Sequence, residues 1–74
     1  MSRLPALPAR EVVRAFARIG FEFERQTGSH LILYSAVRRQ TLSVPNHDPI
    51  KRGTLRSLIR QAGTTPEAFL DLLR

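Results

Sequence analysis

Three segments of strand-like sequence lie in the stretch FEFERQTGSHLILYSAVRRQTLSVP, residues 21–45. The segments are residues 21–25, 30–34 and 40–44. The first alternates apolar and charged side chains, which predicts a half-buried strand. Pro45 ends the third, because proline cannot donate a hydrogen bond to a strand ladder. Because the turns between the segments are short, we expect an antiparallel meander.

The alternation of side chains assigns the two faces of this sheet. Leu42 and Val44 lie on one face of the third strand and identify it as the side toward the core. Leu31 and Leu33 of the second strand are expected to face the same side. The opposite, more open face then carries His30, Ile32 and Tyr34.

Helical sequence flanks the strands on both sides. Residues 9–19 and 55–62 carry apolar side chains at helical spacing, and a glycine follows each segment directly. Thr65-Pro66-Glu67 predicts the start of a short last helix. The chain is therefore expected to form one α+β domain over residues 1–74, a two-layer sandwich. Its order of helix, three antiparallel strands and helix is that of double-stranded-RNA-binding domains.

The charge of the chain favours a nucleic-acid partner. Twelve Lys and Arg residues, eleven of them arginine, stand against six Asp and Glu, which gives a net charge of +6. Guanidinium groups pair with phosphate and stack on bases, although an ordinary solvated surface is an alternative explanation. Arg10, Arg14 and Arg18 form a basic stripe on the predicted solvent side of the first helix.

The composition argues against several kinds of site. The sequence has no cysteine, so neither disulfides nor a thiolate zinc site are available. Its six carboxylates form no recognisable metal motif, and it contains no glycine-rich phosphate loop, so we expect neither a metal nor another cofactor. No apolar run is long enough for a membrane span, and the first residues lack the apolar segment of a secretory signal. We therefore expect a cytoplasmic protein.

The two histidines are the remaining candidates for chemistry. Histidine exchanges a proton near neutral pH, and RNA supplies its own nucleophile, the 2′-hydroxyl. His30 follows Gly28-Ser29 at the start of a strand, where it could act on a bound RNA or merely cap the turn. His47 is a possible auxiliary residue, although a loop histidine bonded to the backbone is the simpler interpretation.

A cluster of basic residues, with no acidic residue among them, lies before and along the second predicted helix. Its members are Lys51, Arg52, Arg56 and Arg60. Beside the strand that carries His30 such a cluster would hold phosphates, and otherwise it is a solvated helix face.

Four short motifs resemble those of the HicA family of bacterial toxins. They are Gly28-Ser29-His30, Val44-Pro45-Asn46-His47, Lys51-Arg52-Gly53-Thr54-Leu55-Arg56 and Gln61-Ala62-Gly63. Their order and spacing match the family over nearly the whole chain. The acidic Asp48 next to His47 departs from the family pattern and argues against contact of His47 with RNA.

The resemblance implies a fold, an activity and a partner. HicA proteins have a double-stranded-RNA-binding-like fold and cleave mRNA without a metal, and the histidine of their Gly-Ser-His motif, here His30, is catalytic. Gly28 and Ser29 are expected to contact RNA together with the basic cluster. A HicB-like antitoxin neutralises the toxin by covering its active site, and we expect it to bind over Ile32 and Tyr34.

The sequence is also compatible with two other classes of function. The chain could be an RNA-binding module without catalytic activity, or an interaction protein whose basic face binds an acidic partner protein. Cleavage of RNA in magnesium-free buffer would separate the enzyme from both. Salt-sensitive RNA binding would separate the two binding proteins from each other.

Overall fold

The helices and strands follow one another in the predicted α+β order. The computed structural model describes residues 4–74. Its elements are α1 (Ala9–Ala17), β1 (Glu22–Thr27), β2 (His30–Ser35), β3 (Gln40–Pro45), α2 (Arg52–Gln61) and α3 (Pro66–Leu72). The prediction about a secretory signal involves residues 1–3, which lie outside the described residues.

The three strands form the predicted antiparallel meander in the order β1-β2-β3. Leu33 pairs with Leu42, and His30 at the start of β2 pairs with Pro45 at the end of β3. Directly paired residues point to the same face of an antiparallel sheet. This register therefore confirms the assignment of core and open faces along β2 and β3.

The prediction of a half-buried first strand is wrong. β1 begins one residue later and ends two residues later than expected, and all six of its residues are exposed. Phe21, the buried residue that suggested the pattern, precedes the strand, whereas Phe23 within it is 54% exposed. β1 is an edge strand, and a β-bulge between Phe23 and Arg25 interrupts its alternation. Charged residues and a bulge are typical protection for such an edge.

All three helices contribute to a core on one face of the sheet. Val12 and Phe16 of α1 are fully buried, as are Leu33 and Leu42 of the strands. The Phe16 ring lies 6.0 Å from that of Phe21 in an edge-to-face arrangement and 5.1 Å from that of Phe69 in α3. The aromatic contacts connect both terminal helices to the chain entering β1. The result is the predicted two-layer sandwich.

The helix ends follow the predicted signals, with two corrections. α1 ends at Ala17, two residues before the predicted end at Ile19. Gly20 and Gly63 have φ angles of 98° and 76°, the left-handed conformation that glycine adopts without strain. The Thr65 hydroxyl accepts a hydrogen bond from the Ala68 amide at 3.1 Å and caps α3. α2 begins at Arg52, three residues before the first residue predicted from apolar periodicity. Within residues 4–74, no helix combines the length and apolar character that crossing a bilayer requires.

Candidate functional site

An open groove of about 540 Å³ lies between the sheet and α2. One wall consists of His30, Ser43 and Pro45 from the strands. The other wall consists of Gly53, Thr54, Ser57, Leu58 and Gln61 from α2. The groove exists because α2 packs along β3, at the edge of the sheet next to the His30 strand.

The strand wall is built by a tight hairpin. Gly28 and Ser29 form the two-residue turn between β1 and β2, and Gly28 has φ 56°. Glycine is favoured at the first central position of such a turn because that position takes a positive φ. Directly after the turn comes His30, whose side chain is exposed. The Asn46 amide donates to the Ser29 carbonyl at 2.7 Å and ties the end of β3 to this turn.

The helix wall presents hydroxyl and amide groups. Thr54, Ser57 and Gln61 are spaced i, i+3 and i+7 and therefore lie along one side of α2. Leu58 lies on the same side but is almost fully buried, so it forms the apolar base of this wall. Within the wall, the Gln61 Nε2 donates a hydrogen bond to the Ser57 Oγ at 3.2 Å.

The chemistry that this groove can perform follows from its lining. Among the described lining residues, His30 alone is ionisable, and Ser43, Thr54 and Ser57 supply hydroxyl groups. An imidazole can accept a proton from a bound hydroxyl, and neutral hydroxyls can donate to an anionic oxygen. Across residues 4–74, no three side chains of the His, Cys, Asp and Glu types gather in a way that could hold a metal ion.

The structure separates the predicted basic cluster from this groove. Arg56 and Arg60 line a second hollow of about 260 Å³, formed with Ile59 and residues 64–66 on another side of α2. The Arg52 Nε donates to the Leu4 carbonyl at 2.9 Å and so supports the N-terminal segment. Lys51 is exposed at the start of α2. The structure therefore does not bring the two helix arginines together with His30.

The basic stripe on α1 faces solvent, as predicted, but each of its arginines has a partner in the chain. Arg10 lies 4.0 Å from the Asp48 carboxylate, and Arg14 lies 3.7 Å from that of Glu11. The Arg18 guanidinium donates to the backbone carbonyls of Leu72 and Arg74. All three arginines of this stripe therefore already have a contact within the chain.

His47 lies in the loop between β3 and α2, as predicted, and is exposed. Its backbone carbonyl accepts a hydrogen bond from the Ala9 amide at 3.0 Å. Its neighbour Asp48 is the carboxylate that pairs with Arg10. The side chain of His47 is not among those lining the groove, so the structure places the two histidines in different surroundings.

The expected exposure of the open-face apolar pair is correct for Tyr34 and wrong for Ile32. Tyr34 is 38% exposed, whereas Ile32 is only 8% exposed although it lies outside the core cluster. Ile32 is on the middle strand, between Arg25 on one side and Ser43 on the other. A residue of the middle strand has a neighbouring strand on each side, which reduces its exposure.

Four polar residues that line the groove were not predicted from the sequence. They are Ser43, Thr54, Ser57 and Gln61. A signal for three of them was present, because a polar side of α2 borders its apolar side at helical spacing. The placement of Ser43 beside this helix depends on how α2 packs along β3.

Comparison with known proteins identifies the family. A family model described as the HicA toxin of bacterial toxin–antitoxin systems matches residues 9–64. The match covers the chain from the start of α1 to beyond the end of α2 and therefore includes every residue that lines the groove. No curated protein matches the chain at a significant level.

Proposed function

Because this chain belongs to the HicA family of bacterial toxins, we propose that it is an endoribonuclease toxin that cleaves mRNA with His30 as its catalytic residue. The observation that carries the proposal is the groove in which the exposed His30 faces the hydroxyl groups of α2. A histidine that merely capped its turn would not require a polar wall opposite it.

The proposed reaction uses the 2′-hydroxyl of RNA as the nucleophile. His30 accepts the proton of that hydroxyl, and its oxygen attacks the adjacent phosphorus. The bond from phosphorus to O2′ forms while the bond to O5′ breaks, which gives a 2′,3′-cyclic phosphate and a 5′-hydroxyl. The protonated His30 or a water molecule returns a proton to the leaving oxygen. The step is balanced and requires no metal or other cofactor.

The proposal includes a partner and a second contact with RNA. A toxin of a toxin–antitoxin system requires a neutralising protein, and we propose a HicB-like antitoxin in the cytoplasm. Arg56, Arg60 and Lys51 would bind phosphates of the RNA chain outside the groove, because guanidinium and ammonium groups attract the backbone irrespective of sequence. Gly28 and Ser29 would contact the RNA at the groove entrance.

Replacement of His30 tests the catalytic assignment. We expect His30→Ala to fold normally, to bind RNA and to lose cleavage, because no other ionisable side chain among the described lining residues can take the proton. Cleavage of a labelled RNA by the purified variant measures this directly. Cleavage at the wild-type rate would contradict the assignment, whereas His47→Ala serves as the matched control and should remain active.

Two substrate and buffer conditions test the reaction route. Wild-type cleavage should persist in excess EDTA, and a 2′-deoxy substitution at the cleaved position should abolish it. If chelation stops cleavage and magnesium restores it, the proposed route is wrong. Retained RNA binding without any cleavage under all conditions would instead indicate a non-catalytic RNA-binding module.

A further inference from the structure

The hydroxyl of Ser57 has a defined orientation within the groove. Its oxygen accepts the hydrogen bond from the Gln61 amide at 3.2 Å, and Ser57 is partly buried between Thr54 and Leu58 along the helix wall. Among the described residues, its proton has no acceptor. A hydroxyl whose oxygen is already bonded to a donor has its own proton available for an approaching acceptor.

The proposed reaction would need such a donor. As O2′ attacks, negative charge accumulates on the two non-bridging oxygens of the phosphate. The described lining of the groove contains no Lys or Arg, and the nearest basic pair on α2, Arg56 and Arg60, lines a different hollow. Inside the described groove the charge can therefore be met only by the protonated His30 and by neutral donors, which act best when they are oriented in advance.

We infer that Ser57 donates a hydrogen bond to one non-bridging oxygen of the scissile phosphate, an inference that rests on the proposed function. Gln61 acts as the positioning residue of Ser57. Ser57 is favoured over Thr54 and Ser43 because it alone has a side-chain partner that fixes its oxygen. The site thus combines a base on the strand wall with a neutral phosphate donor on the helix wall.

Phosphorothioate substitution tests this contact at a single atom. Each non-bridging oxygen at the cleaved position is replaced by sulfur in turn, and single-turnover cleavage rates are measured. Sulfur accepts hydrogen bonds weakly, so one of the two isomers should be cleaved more slowly by the wild type. Ser57→Ala should slow cleavage of normal RNA by about tenfold to 100-fold and abolish that difference between oxygen and sulfur.

Three further variants separate a contact from a structural effect. Ser57→Thr retains the hydroxyl and should retain the sulfur effect, whereas Gln61→Met should reduce the effect at the same isomer. Thr41→Ala, an exposed hydroxyl that does not line the groove, should change neither rate nor sulfur effect. Alanine is a better helix former than serine, so Ser57→Ala is expected to fold.

The possible failures are distinguishable. If His30→Ala is inactive but Ser57→Ala retains the wild-type rate or the wild-type sulfur effect, this inference is wrong and the proposed function stands. If His30→Ala cleaves like the wild type, the assignment of His30 is wrong. If the wild type cleaves RNA under no condition, the proposed function is wrong and this inference falls with it.

Discussion

Gly28 and Gly53 both lie near the groove, but the backbone requires glycine at only one of the two positions. From the sequence, Gly28 was expected to contact RNA. A Cβ atom built at Gly28 meets no atom within 4 Å, and the same is true at Gly53. Gly28, however, has φ 56°, whereas Gly53 lies in the first turn of α2 and has no positive φ. The backbone conformation therefore explains why residue 28 is glycine. Lack of space for a Cβ atom explains neither glycine.

The same substitution at these two glycines should change stability in opposite directions. Gly28→Ala should lower the free energy of unfolding by about 1–2 kcal/mol, because an alanine in the left-handed region is strained. Gly53→Ala should raise it by about 0.5–1 kcal/mol, because alanine loses less entropy in a helix. Urea denaturation of both variants measures the difference. Equal effects would mean that the turn conformation does not determine the role of Gly28.

The two main helices carry arginines at similar spacing but use them differently. On α1 the guanidinium groups of Arg10 and Arg14 lie close to carboxylates. On α2 the described residues offer the guanidinium groups of Arg56 and Arg60 no hydrogen-bond or ion-pair partner. A hollow with hydroxyl-bearing threonines lies beside these two arginines. An unpaired arginine gains more from a phosphate than one that must first leave a carboxylate, so α2 is the better candidate for backbone contact.

Salt dependence of RNA binding should separate the two helices. In a His30→Ala background, changing Arg56 and Arg60 to Gln should weaken binding to single-stranded RNA of any sequence. The slope of log affinity against log salt should decrease by about 0.7 for each lost phosphate contact. Changing Arg10 and Arg14 to Gln removes the same charge and should alter the slope much less. Equal changes in both double variants would show that the slope reports net charge alone.

Considered as a whole, the molecule exposes an apolar area away from the groove. Tyr34, Ala36 and Val37 line a hollow of about 240 Å³ together with Gly20 and Glu22. Val37 is 95% exposed and Tyr34 is 38% exposed. Exposed apolar side chains of this kind suit a protein interface. If the antitoxin covers the open face of the sheet, its contact is therefore expected around Tyr34 and Val37 rather than around the covered Ile32.

Tyr34→Lys should weaken binding of the HicB-like antitoxin. Loss of a central aromatic contact costs about 2 kcal/mol or more, which raises the Kd roughly 30-fold. A lysine at this position loses the aromatic contact and also places a charge in an apolar interface, and both effects weaken the complex. Calorimetry measures the Kd, and Ala68→Lys, an exposed position on α3, controls for the charge. Unchanged affinity in Tyr34→Lys would place the antitoxin elsewhere.

The pattern of apolar, polar and glycine residues along the sequence was sufficient to predict most of the fold. Alternation along β2 and β3 identified the core-facing Leu33, Leu42 and Val44, and the left-handed glycines marked the ends of α1 and α2. It failed for β1, because alternation in sequence does not reveal whether a strand lies at the edge of a sheet or beneath a helix. It also failed for Ile32, which is only 8% exposed although alternation places it on the open face, between Arg25 and Ser43.

One wall of the groove was predictable from adjacent residues in the sequence, whereas the other wall depends on how distant segments pack. The turn chemistry of Gly28-Ser29 was sufficient to predict an exposed His30 at the start of a strand, because both features depend on adjacent residues. The wall opposite His30 was not predictable in this way. Thr54, Ser57 and Gln61 share a side of α2 by helical geometry, but α2 could have turned that side elsewhere. Burial of Leu55, Leu58 and Ile59 against the sheet sets the rotation of the helix, so core packing directs its polar side toward the groove and its arginines away from it.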